Sequence, residues 1–397
     1  MDKKILFLGP LYPWNRELEI KEKSGSKISN APNVFQWNLL NGLHKLLGND
    51  MQVINVLPVG IWKREYKDLV LRDGEWACNG VNGVEIGCIN LPVIKQLQRF
   101  QRVKKILKKA ADDNTEIIIY SAYMPFLKAA YRLPEAIKIT AIVTDLPEFY
   151  DLGETTQTHK VMRALQNRMV YKYLKRVNRF VVLTKQMREP LRVGERPWIC
   201  IEGICNTDCR VPTVTRNSQK AILYSGTLHY RYGIKNLLTA FEEINDDDIE
   251  LWICGGGEAE SEIRELAAKD KRIKFFGLCT QNEVAELRSR ASILVNPRTN
   301  DGEYTAYSFP SKTMEYMTSG KPIVMYKLGG IPAEYDRYLN YVNTQPDYVS
   351  GLKSALLNVL ENYRSMLEKA VSARQFVLEK KNEDVQARKI LDFITSN

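Results

Sequence analysis

Short, continuous apolar runs recur along the chain, each followed by enough residues for one helix. In the first half, KKILFLG (3–9), MQVINVLPV (51–59), EIIIY (116–120), KITAIVT (138–144) and FVVLT (180–184) read as strands, with a helix over about 33–47. Residues 74–90 carry Asn-Gly at 79–80 and 82–83 and read as a hairpin. After Arg210 the rhythm is cleaner. Strands are predicted at 221–226, 249–255, 272–277, 292–297 and 321–326. Helices fall at 234–244, 258–268 and 282–290, and one more follows Pro310. A long helical run starts near Tyr348 and breaks around 380–382. Strands that are apolar on both faces and alternate with helices imply parallel sheets covered on both sides. The fold class is therefore α/β with two Rossmann-like domains. The boundaries read as 1–205, rejoined by a C-terminal helix at 380–397, and 206–379. The linker falls within 205–219, where VPTVTRNSQ has loop composition.

Composition adds bounds. A chain of 397 residues has room for two domains, and 26% charged content is ordinary for a globular protein. No stretch reaches the ~18 apolar residues of a membrane span, and the start MDKKILFLG lacks a secretory core; the chain is read as cytoplasmic. Seven cysteines, an odd number, argue against a disulfide framework. Cys200, Cys205 and Cys209 lack the spacing of a zinc site, so no metal is expected. Net charge is +10 and unevenly spread. Segments 95–109 and 160–179 each hold seven basic residues and no acidic one. Leu97, Phe100, Val103, Ile106 and Leu107 form an apolar stripe in the first; Val161, Leu165, Met169, Tyr173 and Val177 form one in the second. Either the stripes pack and the basic faces are simply solvated, or the helices dock on anionic membrane. No nucleic-acid motif accompanies the charge.

Ligands of parallel sheets bind beyond the carboxyl ends of the strands. Four loops of the second half lie at that edge. In SGTLHYRYG (225–233), Gly226 admits close backbone approach, Thr227 supplies a hydroxyl and Arg231 a cation. In CGGGEAE (254–260), Gly255 and Gly256 precede a helix start suited to phosphate. In NPRTNDGEYTAY (296–307), Arg298 has the planar fork that grips two phosphate oxygens. In YSFPSKTMEYMTSGKPIV (307–324), Ser308 or Ser311 is expected to cap a helix with Pro310 in its first turn. The helix amides and Lys312 then make an anion site, and Glu315, one turn on, can accept both hydroxyls of a ribose. Together these point to a nucleotide diphosphate-sugar. In the first half, Asp145 precedes Leu146-Pro147 and is read either as a turn former or as a group that orients sugar or acceptor.

Over about residues 220–341 the chain resembles the nucleotide-binding domain of glycosyltransferase family 4, the glycosyl transferases group 1. The likeness rests on SGTL, on YGI opening a helix, on GGGE, and on SFPSKTMEYMTSGKPIV. KKILFLGP and VTDLPEFY (143–150) resemble the first domain more loosely. The resemblance implies the glycosyltransferase B fold, with two domains facing across a cleft. It also implies transfer from a UDP- or GDP-linked sugar, with retention, to a glycan or polyprenyl-linked acceptor in bacterial surface polysaccharide synthesis, without a further cofactor. It places Tyr307, Ser308, Phe309, Pro310 and Ser311 against the donor and Glu315 on its ribose. Tyr307 stands where the family usually has its first signature glutamate. Thr227 and Tyr232 stand where it has a first-loop arginine and lysine, leaving Arg231, Arg298 and Lys312 as the catalytic cations beside Asp145. The segment 21–32 is expected to close over the acceptor. Two rival readings are a sugar-nucleotide epimerase of the same fold and a basic nucleic-acid-binding protein.

Overall fold

Five consecutive residues of the first strand, β1 (Lys4–Pro10), are buried, as a strand covered on both faces requires. The structure, a computed structural model, describes residues 3–25, 30–149, 157–207 and 220–396. It divides into two compact units, Met1–Ile204 with Glu383–Asn397, and Cys205–Asn382. Residues 26–29 of the expected acceptor loop, 208–219 of the expected linker, and Cys209 lie outside the described residues.

In the first unit β1 is followed by α1 (Glu17–Lys23), α2 (Ala31–Leu47) and β2 (Met51–Val56). A small two-stranded pair, β3 (Val70–Leu71) with β6 (Cys88–Ile89), brackets the hairpin β4 (Gly74–Cys78) and β5 (Val81–Glu85), turned by the positive-φ pair Asn79-Gly80. Then come α3 (Ile94–Ala110), β7 (Thr115–Tyr120), α4 (Met124–Ala130), β8 (Lys138–Val143), α5 (Gln157–Leu174), β9 (Arg179–Val182) and β10 (Trp198–Cys200). The sheet order is β10-β9-β8-β7-β1-β2-β5-β4, parallel except for the hairpin strand β4. The three residues of β10 are too few to show in the apolar pattern.

The second unit runs β11 (Lys220–Ser225), α6 (Ile234–Glu242), β12 (Ile249–Cys254), α7 (Glu260–Lys269), β13 (Ile273–Gly277), α8 (Gln281–Arg290), β14 (Ile293–Asn296), α9 (Ser311–Thr318), β15 (Ile323–Met325), β16 (Asn340–Tyr341), α10 (Tyr348–Glu361) and α11 (Tyr363–Lys380). All six strands are parallel, in the order β13-β12-β11-β14-β15-β16. Local sequence explains several boundaries. Thr280 and Glu283 cap α8 reciprocally, and Asp347 caps α10. The C-terminal helical run breaks at Asn362 as well as near Lys381.

The last helix, α12 (Glu383–Thr395), packs along α2 in the first unit. Ala387, Ile390, Leu391 and Ile394 share one core with Leu39, Leu40, Leu43, Phe7 and Ile118. The two helices approach so closely because Gly42 has no side chain; a Cβ there would lie 2.2 Å from the Glu383 carbonyl oxygen.

Both basic helices bury only part of the expected stripe. In α3, Lys95 and Arg99 are buried while Leu97 is 48% exposed. The Lys95 ammonium donates to the carbonyls of Val59 (2.6 Å) and Gly60 (3.4 Å), and Arg99 donates to the Leu57 carbonyl and the Tyr123 hydroxyl. Carbonyls just beyond β2 thus take two cations inward at the start of the helix, while Val103 and Leu107 of the expected stripe are buried further along it. Burial pushes the Lys95 ammonium down to about 8. In α5 the buried row is Val170, Tyr173 and Leu174, whereas Val161, Met162, Leu165 and Met169 are exposed.

Gly→Ala in a helix ordinarily stabilises by up to about 1 kcal/mol. Gly42→Ala is expected to do the opposite and cost about 1–3 kcal/mol in urea unfolding, because the seat of α12 is overpacked. An unfolding midpoint at or above that of the parent chain would contradict this packing.

Candidate functional site

The second sheet reverses its winding between β11 and β14, the position where doubly wound sheets leave a crevice at their carboxyl edge. The loops leaving these strands carry most of the residues singled out from the sequence.

The first two loops are interlocked by glycine. Gly226 donates to the Cys254 carbonyl, Leu228 to that of Gly256, and Ala259 to that of Leu228. Gly226, Gly255 and Gly257 have φ of 148°, 143° and 156°. A Cβ on Gly255 would lie 1.8 Å from the Gly226 carbonyl oxygen, and one on Gly257 would lie 2.5 Å from that of Leu228. Gly233 is left-handed before α6, and a Cβ on it would lie 1.8 Å from the Pro297 carbonyl oxygen, so the first loop passes close to the third.

Lys312, in the first turn of α9, is the centre of the arrangement. Its ammonium lies 4.5 Å from the Tyr224 ring centroid and 3.3 Å from that hydroxyl, which donates to the Thr227 carbonyl. It fills the space a side chain at Gly226 would need, 1.6 Å from the ideal Cβ. Burial pushes it down to about 8, opposed by the Glu315 carboxylate, while Arg298 adds a further downward push. Among the described residues no carboxylate ion-pairs with Lys312 or Arg298.

Arg298 donates to the Ser308 hydroxyl at 3.1 Å and lies over the rings of Tyr232 (5.6 Å) and Tyr304 (4.8 Å). Its buried Nε has no hydrogen-bond partner. Arg231 lies against the same Tyr232 ring at 5.2 Å, so two cations flank one aromatic. Such contacts hold a guanidinium in place without neutralising it.

The helix start differs from expectation. Pro310, with ψ of 118°, is itself the N-cap of α9, and no side chain caps the helix. Ser308 is taken up by Arg298, and Ser311 is the first helical residue, exposed. The first amides of α9 are therefore left uncapped by any side chain and carry the positive end of the helix dipole. Phe309 is buried at 6% and packs on Tyr335 (5.2 Å); its side chain belongs to the core, leaving only its backbone for a ligand.

Glu315 lies one turn on, its side chain 45% exposed, with Arg288 of α8 at 3.4 Å. A carboxylate so loosely held keeps its other lone pairs for hydroxyl donors. The sequence does not single out Arg288, Tyr224 or Tyr316. Tyr316 supports the β11 end, its hydroxyl accepting the Ser225 amide at 3.2 Å. Each sits in a strand or helix whose pattern reads as ordinary core or surface, with no local signal of a site. Tyr307 ends a 3-10 turn over Glu303–Tyr307. Asp145 lies in the other unit, exposed beyond β8, and accepts from the Thr144 hydroxyl at 3.1 Å.

Residues 219–362 match the family model described as Glycosyl transferases group 1. Glycogen synthase of Mycobacterium tuberculosis (strain ATCC 25618 / H37Rv) is 25% identical over 165 residues, 40% of this chain and 38% of its own length. The chain thus spans less than two fifths of the length of that relative. Among solved structures, sucrose-phosphate synthase from Thermosynechococcus elongatus superposes with a TM-score of 0.70 at 15% identity, over 99% of this chain and 98% of that one. Anabaena HepE in complex with UDP gives 0.64 at 13% identity, over 99% and 100%. The fold is that of the B-type glycosyltransferases, and the stretch similar to the glycosyl transferases group 1 model lies within the second unit.

Lys312 is expected to react with amine-acylating reagents with a midpoint near pH 8, about two pH units below a surface lysine. Competitive labelling read by peptide mass spectrometry checks this. A midpoint near 10 would show the ammonium to be solvated rather than held over Tyr224.

Proposed function

We propose that the chain transfers a sugar from a UDP- or GDP-linked donor to a hydroxyl of a glycan or polyprenyl-linked acceptor, with retention at the anomeric carbon. The observation that carries this reading is one gathering at the β11/β14 switch point: Lys312, Arg298 and the uncapped amides of α9, with Glu315 one turn away. Two cations held on aromatic faces with no carboxylate between them favour a dianionic group, and a carboxylate just beyond favours a diol. A nucleoside diphosphate has both. The co-crystallised UDP named for HepE belongs to a protein of the same fold and supports the assignment.

In the reaction the bond between the anomeric carbon and the β-phosphate oxygen breaks, and a bond from the acceptor oxygen forms on the same face. The leaving diphosphate gains charge as this happens. Lys312, Arg298 and Arg231, with the α9 amides, stabilise it, as preorganised cations and dipoles do most effectively. The acceptor proton passes to the departing phosphate oxygen. Asp145 is assigned to orienting sugar or acceptor. Gly226, Thr227, Gly255, Gly256 and the backbone of 307–311 line the donor, and no metal or further cofactor takes part.

The exposed face of α5 extends the proposal to the membrane. Val161, Met162, Leu165 and Met169 stand exposed among Lys160, Arg163, Arg168 and Lys172, with no acidic residue over 160–179. A helix with an apolar row and basic flanks suits the surface of an anionic bilayer, so the reading is a peripheral enzyme of the inner membrane face that builds surface polysaccharide on lipid-linked acceptors. In α3 five of the seven basic residues remain for such contact, since Lys95 and Arg99 are buried.

Calorimetric titration with UDP, GDP and ADP is expected to find one nucleotide preferred. Glu315→Ala should weaken it by about 1–3 kcal/mol through the lost ribose hydrogen bonds. Equal binding by the variant would leave Glu315 as a mere partner of Arg288. For the membrane, the chain should co-sediment with phosphatidylglycerol vesicles and not with phosphatidylcholine vesicles. Leu165→Glu with Met169→Glu should abolish that; unchanged sedimentation of the double variant would exclude α5 as the docking face.

A further inference from the structure

The first unit holds a cavity of about 750 Å³ that the donor site does not use. Its lining includes Arg16 from the 3-10 turn after β1, Leu57 just beyond β2 and Glu85 at the end of β5, and it falls in the ~300–1,000 Å³ range of small-ligand sites.

Its floor is a fixed polar network. Arg16 donates to both oxygens of the buried Glu85 carboxylate at 3.0 Å. Asn55 donates to the same carboxylate at 3.4 Å and to the Leu11 carbonyl at 2.9 Å, and it accepts the Trp76 indole N–H at 2.7 Å. Trp76 is thereby locked, its ring 5.7 Å from that of Trp37. Burial raises the Glu85 carboxyl, and Arg16 opposes that rise. Two more aromatics complete the walls: buried Tyr66, and Trp62 at the mouth, 37% exposed.

The lining selects among ligand classes. The lining holds the carboxylates Glu19, Asp68, Asp73, Glu75 and Glu85 and the cations Arg16, Lys23, Lys67 and Arg72, and Asp73 is also paired with Arg102 at 2.6 Å, so the charges balance. Lys23 is already paired with Glu19 and Asp68, at 2.9 and 2.8 Å. A phosphorylated or sulfated ligand would meet no net positive charge here. An acyl chain would have to desolvate these charges and offers them no hydrogen bonds in return. A neutral polyhydroxyl ligand meets neither obstacle. Its hydroxyls donate to carboxylates and accept from guanidiniums, while the C–H faces of its rings lie on indole.

We infer that this cavity is a glycan subsite that holds uncharged sugar units of an oligosaccharide between the Trp62 and Trp76 faces and the Arg16–Glu85 floor. The assignment of that glycan as the acceptor rests on the transferase reading above; the binding itself does not. Trp62 supplies a stacking face at the mouth, and Trp76 with Glu85 sets the orientation of the sugar in the floor. The acceptor class is then a neutral chain of several sugars, rather than a lone sugar or an anionic polymer.

The test is a tryptophan-fluorescence titration of the full chain with maltotetraose, cellotetraose, chitotetraose and a sulfated heparin tetrasaccharide, with UDP affinity measured on the same samples. At least one neutral tetrasaccharide should bind saturably and the sulfated one should not. Trp62→Ala should weaken that binding about tenfold or more, Trp62→Tyr should largely restore it, and neither variant should change UDP affinity or the unfolding midpoint. Binding of UDP with no tetrasaccharide bound overturns the subsite and leaves the transferase reading standing. Tetrasaccharide binding without nucleotide binding does the reverse. Equal affinity in Trp62→Ala, or preference for the sulfated probe, also overturns it.

Discussion

Lys312 reaches back from the first turn of α9 to lie over the Tyr224 ring, in space that any side chain at Gly226 would occupy. Much of the carboxyl edge of the second sheet depends on that contact. Gly226 must lack a side chain to admit the ammonium, and Gly255 must lack one to admit the Gly226 carbonyl. The two loops are then held by backbone hydrogen bonds instead of side chains. This leaves a cation in low dielectric near a second cation, Arg298, with no carboxylate at ion-pair distance of either among the described residues. Burial lowers the Lys312 pKa for that reason, and the electrostatic deficit is one an anionic ligand relieves. Preorganisation has its usual origin here: the folded scaffold holds like charges near each other before the ligand arrives.

The first unit solves a different problem by related means. Its buried cations, Lys95 and Arg99, are satisfied by carbonyls and a phenol, so they close off strand ends rather than await an anion. Its buried carboxylate, Glu85, is paired to Arg16 and forms the floor of a cavity walled by indoles. One site therefore gathers cations on aromatic rings, and the other pairs its charges around aromatic faces. That difference matches the two chemistries a sugar transfer needs, a diphosphate and a polyhydroxyl chain.

Legibility followed the physical range of each interaction. The alternation of apolar strands and helices was readable because burial of a parallel sheet on both faces leaves no polar positions along it. The hairpin at β4–β5 was readable from Asn79-Gly80, where positive φ is required. The amphipathic stripes of α3 and α5 hold only in part: Val103, Leu107 and Tyr173 are buried, but carbonyls beyond β2 compete for Lys95 and Arg99, and α5 buries only its last turns. The expected serine cap of α9 failed because Arg298, ten residues earlier, takes the Ser308 hydroxyl.

By itself the sequence determined the α/β class, the position of each long strand, the four loops at the carboxyl edge of the second sheet and the placing of Lys312 and Glu315 one turn apart on one helix, all of which depend on local period, turn chemistry or spacing. Only the tertiary structure decided which groups Lys312 and Arg298 would meet, that Phe309 would turn into the core, that Arg288 would reach Glu315, and that Arg16, Asn55, Trp76 and Glu85 would close into one network. Those partners are separated by up to dozens of residues in the chain, and their contacts come from sheet order and close glycine packing, which no local pattern encodes.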